Sequence, residues 1–217
     1  MGNYTAKILV LGDGAVGKTS LVRRYVEDEF DEDYIATIGV NLKHRSIDDI
    51  GLDMSIWDLY GQKSMSPGKH SSNYIGAEGA LVVFDLTRKT TFDHIPQWID
   101  DLYDVIGKVP VVFAGNKTDI LIDFQKKKDT KLTKKTKNKF HDYMIDEHYY
   151  KSIYSQEPKF IPVSSDEVKN WFKSFKKKYK KQCAYFFTSA KTGKNVENAF
   201  KKMGEFVVEN QIRYELD

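Results

Sequence analysis

The chain has 217 residues, 41% apolar and 30% charged, which is enough apolar material for one domain with a full core and too much for a disordered chain. Its formal charge of +3 is too small to imply a nucleic-acid partner by itself, and the excess sits in two lysine-rich stretches. No run approaches the roughly 18 consecutive apolar residues of a membrane span, no charged-then-apolar leader opens the sequence, and a single cysteine, Cys183, excludes an internal disulfide.

Residues 4–11 form a short apolar-rich run ending at Gly12 and read as a buried strand; residues 19–26 follow with helical character and no proline. Between them stands Gly12-Asp13-Gly14-Ala15-Val16-Gly17-Lys18-Thr19, which fits the phosphate-loop pattern of glycine, four residues, glycine, lysine and a hydroxyl residue. Glycines let the backbone curl so that successive N–H groups and the helix N-terminus face an anion. Lys18 adds a cation, and the Thr19 hydroxyl suits Mg²⁺. Such a loop specifies a nucleotide and is silent on its base.

The next strand is expected over residues 40–47. Asp48-Asp49-Ile50-Gly51 then reads as a turn into a half-buried strand, where Leu52, Met54 and Ile56 alternate with Asp53 and Ser55. Residues 80–84 and 109–114 are continuous apolar runs, read as strands covered on both faces, and Ile95, Trp98, Ile99 and Leu102 between them have helical spacing. Buried strands alternating with helices predict a mostly parallel sheet between helical layers, with ligands at the carboxyl ends of the strands. Asn116-Lys117-Thr118-Asp119 directly follows one such run. A carboxylate there can accept hydrogen bonds from guanine N1–H and the exocyclic amine, a pair adenine cannot offer, so Asp119 argues for GTP over ATP. Taken alone, the same four residues would equally suit a helix-capping turn.

From about residue 123 to 162 the pattern breaks into an insertion carrying Lys126, Lys127, Lys128, Lys131, Lys134, Lys135, Lys137 and Lys139, with a helix expected over 140–153. A solvated loop is the default reading; a patch for anionic lipid or nucleic acid is the alternative, and its affinity would fall steeply with salt. Ser164 and Glu167 have the spacing of a capping box that opens a helix to about residue 181. The stripe Val168, Trp171, Phe172, Phe175 and Tyr179 suits a helix packed on the sheet more simply than a membrane-surface face. Cys183 opens an apolar run through Phe187 and reads as a buried strand residue rather than a reactive thiol. The last helix is expected over 195–212, and no internal repeat is visible.

In this order the motifs resemble those of the Ras superfamily of small GTPases, closest to the Rab and Ran branches, over nearly the whole chain apart from the insertion. The resemblance implies an α/β fold of the P-loop NTPase small G domain type: a six-stranded, mostly parallel sheet flanked by helices on both faces, with residues 1–217 as one domain. It gives Asp13, Gly14, Ala15, Val16, Gly17, Lys18, Thr19 and Ser20 to the phosphates. Tyr34-Ile35-Ala36-Thr37-Ile38-Gly39-Val40 looks like a first switch, in which Thr37 serves Mg²⁺ and the γ-phosphate. Phe30 stands where the family places an aromatic against guanine, and simple core packing is the other reading. Trp57-Asp58-Leu59-Tyr60-Gly61-Gln62 is similar to a second switch. There Asp58 joins Thr19 and Thr37 near the metal, the Gly61 N–H meets the γ-phosphate, and Gln62 orients the attacking water. Its role is positioning, because an amide is too weak a base to take a proton at neutral pH. Asn116, Lys117 and Asp119, with Ser189, Ala190 and Lys191 of Thr188-Ser189-Ala190-Lys191, would hold guanine; the second group alone is an ordinary turn after a strand.

The resemblance thus implies a monomeric, Mg²⁺-dependent switch that slowly hydrolyses GTP to GDP and meets effectors, an exchange factor and an activating protein. Tyr60 stands where most relatives carry alanine, close to the γ-phosphate, and Lys63-Ser64-Met65-Ser66-Pro67-Gly68 discourages a regular helix across the second switch. No cysteine near residue 217 suits prenylation, and after Met1-Gly2 the residue Ala6 stands where myristoylation prefers serine or threonine, so a cytoplasmic or nuclear protein is expected. Two other functions compete. One is a non-hydrolysing GTP-dependent scaffold, against which the retention of Gln62 weighs. The other is a membrane or nucleic-acid binding module within the insertion.

Overall fold

The computed structural model describes residues 4–31, 39–59, 71–122, 161–179 and 182–216. Its elements run β1 (Tyr4–Leu11), α1 (Lys18–Glu27), β2 (Val40–Ile47), a 3₁₀ turn (Asp48–Ile50), β3 (Leu52–Leu59), α2 (Ser71–Tyr74), β4 (Gly79–Asp85), α3 (Lys89–Asp93), α4 (Ile95–Ile106), β5 (Val111–Asn116), α5 (Ser165–Tyr179), β6 (Cys183–Phe187) and α6 (Val196–Leu216). They build a six-stranded sheet in the order β2-β3-β1-β4-β5-β6. Among the described strands only the β2–β3 pair is antiparallel, from Val40 opposite Leu59 to Ile47 opposite Leu52. Every other neighbouring pair is parallel, as the expected α/β class requires.

Alternation along β1 divides the core. Ile8 and Val10 face a cluster with Leu21, Tyr25, Ile56 and Phe200, under α1 and α6. Leu9 and Leu11 face the other side, with Phe84, Trp98, Ile99 and Phe113 under α4 and α5. β4 and β5 are buried at every position, which is why they read as unbroken apolar runs. The four apolar positions singled out in α4 are its buried residues, and Pro96 sits in its first turn, where the missing N–H costs nothing. Phe113 meets Trp171 and Phe175 of α5 edge-on, at 5.0 and 4.9 Å between ring centroids, so the aromatic stripe packs on the sheet. The capping box closes in both directions, Glu167 N–H to Ser164 Oγ at 3.1 Å and Ser164 N–H to a Glu167 carboxylate oxygen at 3.0 Å. Cys183 is buried in β6, and burial pushes its thiol up.

Two strands differ from their expected bounds: β4 runs Gly79–Asp85 rather than 80–84, and β5 is displaced further. β5 begins at Val111 and runs through Asn116, whereas apolarity suggested residues 109–114. Pro110 has no N–H for the ladder, although its carbonyl still accepts from Ala80, and the Val109 carbonyl is taken by the Tyr103 hydroxyl. α6 also runs beyond residue 212, to Leu216. The segments 32–38, 60–70 and 123–160, with the helix expected over 140–153, lie outside the described residues. Residues 161–163 are bonded to the turn after β4: Ile161 N–H bonds the Thr87 carbonyl, Lys89 N–H bonds the Ile161 carbonyl and Val163 N–H bonds the Leu86 carbonyl. No described helix is long and apolar enough to cross a membrane.

Candidate nucleotide site

β1 lies between β3 and β4; the helix that follows β1 packs on one face of the sheet and the helix that follows β3 on the other, which leaves a crevice at the carboxyl ends of these strands. The loop of residues 12–17 fills the mouth of that crevice. Gly12 has φ 134, and a Cβ on it would sit 2.1 Å from the Val83 carbonyl oxygen; Gly17 has φ 93, and a Cβ there would sit 2.4 Å from the Asn116 side-chain amide. Only glycine lets the backbone pass so close in either place. α1 then opens at Lys18, and the first N–H groups of a helix have no intrahelical acceptor, which leaves them and the helix dipole to an anion.

Lys18 is buried and folds back over the loop, donating to the carbonyls of Gly12 and Asp13 at 2.9 Å each. Burial pushes its ammonium down to about 8; Asp58 and Asp13 pull it up, and Arg88 adds to the lowering. Thr19 at the first turn of α1 donates its hydroxyl to Asp58 Oδ2, and Asp58, near the end of β3, is wholly buried. A hydroxyl and a carboxylate meeting beside an anion cradle are hard oxygen donors, the set Mg²⁺ takes when one or two protein ligands are completed by water and phosphate. The residues present therefore fit that ion. The Asp13 carboxylate is turned toward α4, where Trp98 Nε1 donates at 2.9 Å and His94 Nδ1 lies at 2.5 Å, so Asp13 serves the cradle through its backbone.

Two further loops reach the same end of the sheet, after β5 and β6. Asn116 ties all three together: its amide donates to the Val16 carbonyl at 2.9 Å, and its oxygen accepts from Ala190 N–H at 3.2 Å. Ser189 Oγ donates to Asp119 Oδ1 at 2.6 Å and fixes that carboxylate. Lys117, at φ 68, places its ammonium 2.8 Å from Asp85 Oδ2. Arg24 of α1 holds the carbonyls of Ala190 and Lys191 at 2.9 and 3.1 Å. Phe30 lies partly buried against the core cluster beneath α1 and α6. The structure brings together Asp13, Gly14, Ala15, Val16, Gly17, Lys18, Thr19, Ser20 and Asp58 on one side and Asn116, Lys117, Asp119, Ser189, Ala190 and Lys191 on the other. Thr37, Gly61, Gln62 and Tyr60 lie outside the described residues.

Sequence reasoning missed the struts behind these loops, namely Arg24, Asp85, Arg88, His94 and Trp98. Asp85 ends a fully buried strand, and its carboxylate accepts from Thr87 N–H and Oγ1 at 2.8 and 2.6 Å and from Arg88 Nε at 2.9 Å. Burial alone would push its carboxyl up, but Lys117 and Arg88 hold it well below the usual carboxylate range. The signal was present as a charged residue closing an apolar run with an arginine three positions on.

The Ras family matches residues 7–209 of the chain. The Ras-related protein RABA4a of Arabidopsis thaliana is 41% identical over 122 residues, 55% of this chain and 54% of that protein. Rab11C of Nicotiana tabacum is 39% identical over 121 residues, 54% of each. Rab11A of Lotus japonicus is 38% identical over 122 residues, 55% of this chain and 54% of its own. The chain spans about half the length of the curated relatives it matches.

Proposed function

The chain belongs to the Ras family, and from that premise we propose that it is a Rab-like small GTPase which binds GTP with Mg²⁺, hydrolyses it slowly to GDP and works as a switch in intracellular trafficking or signalling. The observation that carries the reading is the Asp119 carboxylate, held by Ser189 in a loop that Asn116 ties directly to the phosphate cradle. A carboxylate held at a fixed span from an anion cradle supports a guanine-selective site, because it can accept from both N1–H and the exocyclic amine.

The loop N–H groups and α1 bind the phosphates, and Lys18 exchanges its two loop carbonyls for phosphate oxygens as the nucleotide enters. Thr19, Asp58 and Thr37 are the residues that would hold Mg²⁺, which when bound neutralises charge developing on the phosphates. Asn116, Lys117, Asp119, Ser189, Ala190 and Lys191 orient the base, with Phe30 at its edge. Gly61 meets the γ-phosphate, and Gln62 orients water for in-line attack without taking its proton. Order in the two switch segments follows the γ-phosphate, and effectors, an exchange factor and an activating protein read it. We assign the protein to the cytoplasm or nucleus as a monomer, with the insertion at 123–162 a solvated loop or a contact for anionic partners.

Incubation with Mg²⁺ and either GTP or ATP, following bound nucleotide and released phosphate, tests this. GTP-selective binding is lost in Lys18→Ala, and slow release is abolished in Gln62→Leu. Tight GTP binding with no release until Tyr60→Ala trims the side chain beside Gly61 would instead identify a non-hydrolysing scaffold.

A further inference from the structure

Arg88 follows the turn after β4 and is only 5% exposed. A buried guanidinium is costly unless paired and its donors are used, and here they are divided. Nε donates to Asp85 Oδ2 at 2.9 Å, and a terminal nitrogen reaches across to the carbonyl of Gly14 in the phosphate loop at 3.0 Å. The peptide unit is planar and trans, so the Gly14 carbonyl and the Ala15 N–H point in opposite directions. Fixing the carbonyl on the arginine's side fixes the N–H on the other. Ala15 has φ 60, a conformation uncommon for a residue with a Cβ and one that needs external support.

The turn carrying Arg88 is itself held from two directions. Asp85 Oδ1 takes the N–H and hydroxyl of Thr87, and the backbone of Ile161 bonds Thr87 and Lys89 on the other flank. The Asp85 oxygen that accepts from Arg88 also takes the Lys117 ammonium at 2.8 Å. One buried carboxylate thus stands between the phosphate loop and the base loop.

We propose that Arg88 is a positioning residue for nucleotide binding. It holds the Gly14 carbonyl, so that the Ala15 N–H faces the phosphates, and through Asp85 it couples the phosphate loop to Lys117. Arg88 itself touches no nucleotide. The inference rests on the guanine-nucleotide reading above, and it makes the arginine a determinant of how strongly the site values a second phosphate over the first.

The test is the ratio of GMP to GDP dissociation constants, measured with Mg²⁺ for the unsubstituted protein, Arg88→Met and Arg88→Lys, beside thermal unfolding of each. A phosphate loop cradles the α and β phosphates, so a misaimed loop N–H penalises GDP more than GMP. In Arg88→Met the preference for GDP falls by about tenfold or more, the worth of a hydrogen bond to a charged donor. Arg88→Lys keeps the pair with Asp85 but lacks the planar fork, so it regains thermal stability without regaining the preference. If Arg88→Met does not fold, Arg88→Lys carries the measurement. An unchanged ratio in the folded variants, whatever happens to stability, would overturn the inference while leaving the function intact. Failure of the unsubstituted protein to bind GDP would overturn both.

Discussion

The loop of residues 12–17 and the loops after β5 and β6 sit at one end of one sheet yet are made differently. The first is a backbone device, fixed by the carbonyl of Val83 behind Gly12 and the amide of Asn116 behind Gly17. The second is a side-chain device, in which Asn116, Asp119, Ser189 and Arg24 hold two turns through hydrogen bonds. A backbone device fails completely when its shape is lost; a side-chain device fails one bond at a time.

Substitution on the backbone side should therefore cost most. Gly12→Ala drives a methyl into a strand carbonyl at a φ hostile to alanine, and we expect a loss of about 3 kcal/mol or more, seen as a drop of roughly 6–12 °C in Tm together with loss of GDP binding. On the side-chain side, Asp119→Ala should weaken GTP by about 100-fold or more through two lost charge-assisted bonds, with Tm little changed. Ser189→Ala, which frees the carboxylate without removing it, should cost about tenfold by equilibrium titration. If Gly12→Ala proved as mild as Ser189→Ala, the distinction between the two regions would fail.

This division also explains what was legible in the sequence. Val83, Gly12 and Gly17 belong to a contiguous pattern or to an unmistakable apolar strand, so the loop, the parallel sheet and the helix faces could be read in advance. Pro110 moved a strand by two residues because apolarity registers burial while the ladder registers N–H groups. The ties that cross the chain, Arg24 to Ala190, Trp98 to Asp13 and Arg88 to Gly14, join residues between 74 and 166 positions apart. No local period or motif records such pairs.

Proton linkage sharpens the contrast further. Lys18 titrates near 8 in the folded protein against an ordinary 10.5, and bound phosphate raises it again, so above pH 8 binding takes up a proton. GDP affinity should be level below about pH 7 and fall about eightfold from pH 7.5 to 9 by isothermal titration. Over pH 8 to 10.5 the unfolded chain holds the proton that folded Lys18 has lost, so the nucleotide-free protein gains stability from this group as its affinity declines. An affinity that stays level to pH 9 would remove Lys18 from the phosphate side. The smallest effect lies outside both regions. Ser164→Ala opens the capping box of α5 and should cost about 1 kcal/mol, roughly 2–4 °C in Tm, with nucleotide affinity unchanged.

The central claim is that Asp119 selects guanine at a site built on the loop of residues 12–19. Competitive binding of GTP, ATP and XTP to the unsubstituted protein and to Asp119→Asn tests it most directly. Xanthine carries a carbonyl where guanine carries the exocyclic amine, and an asparagine amide can donate to it. The account predicts that GTP alone binds the unsubstituted protein tightly and that Asp119→Asn exchanges GTP for XTP. Equal binding of ATP and GTP, or a variant that keeps its preference for GTP, would contradict it.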